Sequence, residues 1–299
     1  MPTNEQRRAN AKRKLERQLE RQQKRARTRR TLVIGGAAIV VVAAIAAVVI
    51  AIVNTKHEHK SNTAATTTTP AASNSPETTP AGPTPPAPPL PPFKPSASLG
   101  ANCQYPASPD AAAKPVKPPR TGKIPTDPAQ VSASMATSQG NIGLMLANNE
   151  SPCTVNSFAS LAGQKWFNDT KCHRLTTSPD LGVLQCGDPK GDGTGGPGYG
   201  FGNEYPTDQY APNDPKLQEA VLYPRGTLAM ANSGQPNSNG SQFFMVYKDS
   251  KLPPEYTVFG TIQADGLATL DKIAKAGIEG DAPDGKPVAP VDIQSVQIG

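Results

Sequence analysis

The chain has 299 residues, among them 33 prolines, 30 Lys and Arg, and 24 Asp and Glu. Its net charge of +6 arises at the start, because residues 1–30 hold 12 of the basic residues and 3 of the acidic ones, which leaves 18 basic against 21 acidic residues elsewhere. A basic nucleic-acid-binding domain is excluded, since the basic segment has no aromatic residue and adjoins an apolar run.

The first two elements are a basic segment, residues 1–31, and an uncharged apolar run, residues 32–53. The run LVIGGAAIVVVAAIAAVVIAIV is long enough to cross a hydrocarbon core about 30 Å thick, and it is longer than the apolar core of a cleaved signal peptide. It is predicted to be a transmembrane helix. The positive flank predicts that residues 1–31 are cytoplasmic and that the rest of this single-pass cell-membrane protein is extracellular or periplasmic.

The basic segment has two interpretations. Its residues favour a helix, but residues 1–31 have no apolar stripe to bury. Lys and Arg beside an inner leaflet each contribute about 1 kcal/mol of attraction to anionic lipid, so the segment is a candidate lipid-binding helix. In the simpler interpretation it is only a topology signal.

Residues 54–127 are dominated by Thr, Ala, Ser and Pro, as in TTTTPAASNSPETTPAGPTPPAPPLPPFKP. This composition has too few large apolar groups to offset chain entropy, so a disordered Pro/Thr/Ala-rich linker is predicted. Its proline-dense part favours an extended chain of about 3.1 Å per residue. The run His57-Glu58-His59 is a weak metal signal, because two ligands lack a third and fourth partner, and no metal or cofactor is predicted.

From residue 128 the pattern changes to that of a folded domain, residues 128–299. Two strand-like runs, VSASMAT and NIGLML, flank a turn signal and predict an opening hairpin. Ser151 followed by Pro152 predicts a capped helix that ends at Gly163, and a second helix is predicted over residues 264–277. Short glycine-punctuated segments lie between them, which together indicate a mainly β barrel with two capping helices.

Four cysteines lie in the portion predicted to be exported, where disulfides persist. Four cysteines allow three pairings, and the alternative is that they are small buried hydrophobic residues. They are Cys103, Cys153, Cys172 and Cys186.

Three signatures follow one another in the domain: CHRL at residues 172–175, LQCGDPKGDGTGG at 184–196 and MANSGQPNSNGSQFF at 230–244. With TVFG at residues 257–260, they resemble the cyclophilin family over about residues 131–298. The resemblance implies a closed eight-stranded barrel capped by two helices. It also implies peptidyl-prolyl cis/trans isomerase activity on proline-containing polypeptide clients, here exported or cell-envelope proteins that need help in folding.

The residue types suit that reaction. Rotation about an X-Pro bond faces a barrier of about 18–20 kcal/mol from amide resonance, and a fixed cation that donates to the pyramidal proline nitrogen stabilises the twisted state. By the family motif this donor is Arg174, the implied catalytic residue. Gln185 is implied to bind substrate backbone, while Phe244 and Leu252 wall the proline pocket. The other implied substrate-binding residues are Val183, Ala231, Asn232, Gln242 and Tyr256.

The chain departs from the family pattern beside the pocket. Between Arg174 and Gln185 it is about three residues longer than usual, and Leu181 or Gly182 replaces an expected phenylalanine. Tyr256 stands where a histidine is common. A looser pocket with altered specificity is expected.

Two further departures concern the rim. Lys251 stands where many members have a tryptophan that holds the cyclic peptide cyclosporin, so weakened cyclosporin binding is expected. The stretch SGQPNSNG, residues 233–240, is one residue longer than the common form, which is expected to affect the position of Asn232.

The resemblance also bears on the cysteines. It puts Cys172 and Cys186 on adjacent antiparallel strands, directly opposed and facing away from the groove, and so implies that they pair with each other. Cys103 and Cys153 are then left as the second pair. In the alternative, Cys153, at a helix start, pairs with Cys172 or Cys186, and Cys103 is left free.

The sequence allows two rival functions. A non-catalytic proline-peptide-binding or chaperone module on the same fold is the main alternative, and it predicts affinity without rate enhancement. A Ser-His-Asp hydrolase depends on His173, because His57 and His59 lie in the predicted linker, and the chain has no G-x-S-x-G motif. The isomerase is preferred, with activity expected in a fragment from about Gly122 to Gly299.

Overall fold

The computed structural model describes residues 86–299. They form a curled sheet, a separate pair of short strands and two helices. The helices are α1 (Pro152–Gly163) and α2 (Ala264–Ala276). The strands are β1 (Val131–Thr137), β2 (Gly140–Leu146), β3 (Thr170–Lys171), β4 (Arg174–Thr176), β5 (Gly182–Cys186), β6 (Val221–Tyr223), β7 (Thr227–Met230), β8 (Phe243–Lys248), β9 (Ser250–Leu252), β10 (Val258–Ile262), β11 (Asp284–Gly285) and β12 (Asp292–Ile298).

The predicted hairpin and both predicted helices are confirmed. Strands β1 and β2 pair without a bulge, from Val131 opposite Leu146 to Thr137 opposite Gly140. Helix α1 has Pro152 in its first turn, where a missing N–H costs nothing. Helix α2 stops before Gly277, whose φ of 83° is a conformation that side chains disfavour.

The main sheet has ten strands in the order β11-β4-β5-β8-β7-β10-β2-β1-β12-β3. Eight of them have three or more residues, while β3 and β11, at the two ends, have two each. The predicted mainly β fold with two helices is confirmed as a curled sheet, in which no ladder joins the two end strands within residues 86–299. A single bridge between Lys171 and Asp188 brings β3 back beside the end of β5.

The main core lies inside the curl, between the sheet and the helices. Helix α1 buries one face, and its Phe158 contacts the rings of Phe167, Phe243 and Phe259 at centroid distances of 5.0, 5.5 and 5.3 Å. Helix α2 approaches the sheet closely at Gly266, where a Cβ atom would lie 2.8 Å from Ile142 Cγ2. Each large apolar side chain buried here contributes about 1.5–3 kcal/mol.

The N-terminus of α1 is capped differently from the prediction. The Ser151 hydroxyl donates to the carbonyl of Val258 at 2.7 Å and makes no capping bond. Instead the buried carboxylate of Glu204 accepts from the backbone N–H groups of Cys153 and Thr154, at 3.0 and 2.7 Å. Burial raises the pKa of Glu204 to about 7, although these hydrogen bonds act to lower it.

Residues 86–127 depart from the predicted linker, because they pack on the domain. Cys103, Tyr105 and Ile124 are buried in the main core, and Cys103 pairs with the carbonyl and N–H of Gly122. Proline-rich composition disfavours an independent core but not an extended segment that docks on an existing one. The basic segment, the transmembrane helix and the part of the linker over residues 54–85 are predictions that lie outside the described residues.

Among residues 86–299, neither helix has the length and apolar character that a bilayer crossing requires.

Both disulfide pairings are confirmed: Cys103 is bonded to Cys153 and Cys172 to Cys186. The expected direct opposition of Cys172 and Cys186 is wrong. Arg174 pairs with Gln185, and this register continued backwards sets Cys186 opposite His173, one position from Cys172. The bond is made because Cys172 lies in the irregular backbone between β3 and β4, with its Cα 4.0 Å from that of Cys186.

Candidate active site

A cavity of about 240 Å³ opens on the outer face of the sheet. Strand alternation builds it, because Val183 and Gln185 of β5 face the cavity while Leu184 and Cys186 face the main core. The predicted catalytic residue and all but one of the predicted substrate-binding residues lie together here. The lining residues are Arg174, Leu181, Val183, Gln185, Ala231, Asn232, Phe244, Leu252 and Tyr256.

Arg174 is held at the polar side of the cavity by a carboxylate. Its Nε and Nη2 donate to the two carboxylate oxygens of Asp284 at 2.8 and 2.7 Å, and its Nη1 donates to Gln185 Oε1 at 3.0 Å. The hydrogen bond with Asp284 raises the pKa of Arg174 and lowers that of the carboxyl group. The guanidinium therefore stays charged and fixed in orientation, with 39% of the side chain exposed.

Asp284 was missed by the sequence analysis. It lies on β11, 110 residues beyond Arg174 in the chain, and reaches the site because Gly285 and Asp284 pair with Leu175 and Thr176 of β4. A single Asp in a glycine-rich and proline-rich stretch carries no local signal for such a contact.

A chain of side-chain amides continues from the guanidinium. Gln185 Nε2 donates to Gln242 Oε1 at 2.9 Å, and Gln242 Nε2 donates to the carbonyls of Gly193 and Gly195. Gln242 thus lies beside the cavity rather than in it. It lines an adjoining depression of about 620 Å³, whose wall includes residues 108–111 of the N-terminal segment.

The other side of the cavity is apolar. The rings of Phe244 and Tyr256 meet edge to face with centroids 5.7 Å apart. Val183 and Leu252 complete the wall. Of the two residues that replace the expected phenylalanine, Leu181 lines the cavity and Gly182 does not.

Asn232 is held in place on the rim. Its Nδ2 donates to the carbonyl of Glu255 at 2.8 Å, and its Oδ1 accepts from the N–H of Gly234 at 2.9 Å. Lys251 lies outside the lining, where it forms an ion pair with Asp180 at 2.8 Å. The longer loop after Asn232 therefore leaves this residue at the cavity.

Two other kinds of site, a hydrolase triad and a metal site, are not found among the described residues. His173 Nδ1 is buried, and among residues 86–299 no hydrogen-bond partner reaches it, so no carboxylate orients the ring through that atom as a hydrolase triad needs. In the same range, no group of three His, Cys, Asp or Glu side chains has a metal-binding arrangement. His57-Glu58-His59 lies outside it. A fixed cation beside an apolar pocket remains, which suits a proline ring and its flanking amide.

Comparisons with known proteins show which family this chain resembles over most of the domain. The family model described as cyclophilin type peptidyl-prolyl cis-trans isomerase/CLD matches residues 132–298. A probable peptidyl-prolyl cis-trans isomerase B of Mycobacterium tuberculosis (strain ATCC 25618 / H37Rv) is 74% identical over 296 residues, 99% of this chain and 94% of the relative. Its counterpart in Mycobacterium leprae (strain TN) is 72% identical over 298 residues, 100% of both chains. A crystal structure of a Cryptosporidium parvum cyclophilin type isomerase is 28% identical and covers 57% of this chain and 98% of its own, with a TM-score of 0.45.

Proposed function

The chain belongs to the cyclophilin-type peptidyl-prolyl cis-trans isomerases, and from this membership we propose that its reaction takes place in the cavity beside Arg174. The observation that carries the proposal is the pair of hydrogen bonds from Arg174 to Asp284, which aims a permanent cation at the edge of an apolar pocket. The enzyme accelerates rotation about X-Pro bonds.

The geometry fits the electronic change of the reaction. A twisted X-Pro amide loses resonance, and its nitrogen becomes pyramidal and regains a lone pair. Of the five N–H donors of a guanidinium, three of Arg174 are used by Asp284 and Gln185, which leaves two for substrate. A donor that meets the lone pair stabilises the twisted state more than either planar isomer, and this difference is catalysis.

Substrate binding divides between the two sides of the cavity. The proline ring packs against Val183, Phe244 and Leu252, and the flanking backbone binds Gln185 and Asn232. Tyr256 offers ring surface and a hydroxyl at the rim. Because the pocket holds only the ring and adjacent amides, clients are recognised as exposed X-Pro segments rather than as folded surfaces.

Arg174→Ala in the full chain tests the proposal. We expect kcat/KM for a short X-Pro peptide to fall by about 100-fold or more, the scale for losing one transition-state donor. Arg225→Ala is the matched control, because Arg225 makes a similar two-pronged pair with Asp271 and is 37% exposed, away from the cavity.

The rate of cis/trans exchange in the peptide, measured by NMR, also distinguishes the isomerase from a non-catalytic binding module. A peptide-binding or chaperone module binds the peptide but gives no rate enhancement above background. An unchanged rate in a folded Arg174→Ala protein would falsify the assigned donor.

We further propose that the enzyme is a single-pass protein of the cell membrane, anchored by residues 32–53, with the isomerase domain outside. Three observations support this: the uncharged run, the basic flank in residues 1–31, and the pairing of all four cysteines, which suits an oxidising compartment. Anionic lipid at the basic flank and exported proline-containing clients belong to the same proposal.

Extraction of membranes at alkaline pH tests the anchor. The full chain is expected to stay with the lipid, and a variant without residues 32–53 to be released. Protease added to intact spheroplasts is expected to degrade the domain and spare a tag before Met1. Release of the full chain, or protection of the domain, contradicts the proposal.

A further inference from the structure

A second apolar cluster lies behind the cavity, separate from the main core. It includes two cavity-wall residues, Val183 and Phe244. Two partly buried side chains from the N-terminal segment, Leu90 and Phe93, pack against it. Residues 88–93, called the strap below, thus belong to the same packed unit as the cavity wall.

The strap also extends the small sheet of β6 and β9. The N–H of Leu222 on β6 donates to the carbonyl of Pro88 at 2.7 Å, and Pro89 forms a parallel bridge with Leu222. A two-stranded sheet alone is marginally stable in water, and a third strand supports it. Prolines suit this edge position because they accept hydrogen bonds and need not donate any.

Tyr205 anchors the C-terminal end of the strap. Its hydroxyl donates to the carbonyl of Pro91 at 2.8 Å, and its ring meets Phe93 edge to face with centroids 5.6 Å apart. Tyr205 is itself part of the cluster behind the cavity. The contact therefore joins the strap to the wall through one shared side chain.

The small sheet carries one wall of the cavity. Leu252, on β9, lines it and pairs with Val221 of β6. On its other side β9 is fixed by the N–H of Lys251, which donates to the carbonyl of Asp180 at 2.8 Å. The strap is the support on the β6 side.

We propose that residues 88–93 are positioning residues for substrate binding: the strap braces β6 and β9 and so sets the place of Leu252 in the proline pocket. The inference rests on the proposed function of that cavity. It implies that a fragment beginning at Gly122 lacks a support of its own active site, contrary to the expectation from the sequence.

The test compares variants of the full chain. In Phe93→Ala we expect KM for an X-Pro peptide to rise about three- to ten-fold with kcat within about two-fold, because binding rather than the Arg174 donor is affected. Phe93→Tyr retains the ring and is expected to restore KM. Ile124→Ala is the matched control, since this N-terminal side chain packs into the main core, and it is expected to lower stability with KM unchanged.

Hydrogen exchange at the Leu222 amide reports whether the strap is docked, because that amide binds Pro88. Faster exchange with an unchanged KM overturns the inference. Protection of this amide together with a raised KM in a Leu90→Ser, Phe93→Ser double variant also overturns it, since KM has then risen although the strap is still docked. Peptide affinity measured directly keeps this result distinct from the Arg174→Ala test, which concerns turnover.

Discussion

The main core and the cluster behind the cavity are built in different ways. The core is enclosed by a continuous sheet and two helices, and rings such as Phe243 and Phe259 are fully buried in it. The cluster lies on the opposite face of the same strands, includes Phe244, and is covered by short strands, loops and the strap.

Adjacent residues on one strand thus serve two purposes. Phe243 and Met245 face the core while Phe244 faces the cavity, because neighbours in a strand alternate. The core is enclosed and gives stability. The cluster is covered less completely, and the cavity proposed to bind substrate opens beside it.

Truncation of one ring on each side is the strongest test of this contrast. Phe259→Ala is expected to cost about 3–5 kcal/mol of unfolding free energy and to leave KM unchanged. Phe244→Ala is expected to cost less, since water enters the enlarged cavity, and to raise KM. Fluorescence of buried Trp166, the one tryptophan in the chain, follows denaturant unfolding. Equal stability losses with equal KM values contradict the division.

The two disulfides sharpen the contrast, because one adjoins the site and the other does not. Replacing Cys103 and Cys153 by serine opens a loop of 50 residues and is expected to cost about 4 kcal/mol without lowering kcat. Replacing Cys172 and Cys186 opens a loop of 14 residues, expected to cost about 3 kcal/mol, and kcat is expected to fall because Arg174 and Gln185 lie on the freed strands. Equal kcat values for the two double variants oppose this assignment.

Glu204 is expected to make the stability of the folded domain depend on pH. Its pKa is raised from 4.5 to about 7 by burial, so the folded state holds a proton that the unfolded state releases. Stability is then greatest below about pH 4.5 and falls, by on the order of 1–3 kcal/mol, as pH rises to about 7. Unfolding free energies at pH 4.5, 6 and 8 check this. Glu204→Gln is expected to remove the slope, and a slope that persists in this variant belongs to another group.

The smallest expected effect concerns the rim of the cluster. Lys251 offers no indole ring or N–H to cyclosporin, so inhibition is expected to be weak. Lys251→Trp is expected to tighten it by about ten-fold, the scale of one ring contact and one hydrogen bond. Lys251→Met is the control for side-chain length. Side-by-side titrations that give equal inhibition for the three proteins show that this position does not matter.

Much of the site was predictable because its residues lie in short signatures. Arg174 and Gln185 lie on the two consecutive strands β4 and β5. Phe244 and Asn232 lie within one motif of 15 residues. The resemblance of these signatures to the cyclophilin family implied the role of each residue. The hairpin and the two helices could also be predicted, because apolar alternation, a proline at a helix start and a glycine at a helix end are local features of the sequence.

The residues that hold the site in place could not be predicted from the sequence. Asp284 reaches Arg174 from 110 residues away, and Glu204 caps α1 from about 50 residues beyond the helix start. Neither acid lies in a periodic pattern, and only packing gives it a partner. The predicted direct opposition of Cys172 and Cys186 is also wrong, because the register that pairs Arg174 with Gln185 sets Cys186 opposite His173.

The sequence by itself determined a basic start, an apolar run and a proline-rich stretch, and its motifs identified a domain that resembles the cyclophilin family. The tertiary structure decided that residues 86–127 pack with that domain, because they resemble a linker in composition but bury Cys103, Tyr105 and Ile124 and place the strap on β6. A few apolar anchors and a disulfide suffice to dock an extended segment on an existing core. Such docking depends on the surface that receives the segment, which no property of the segment's own sequence describes.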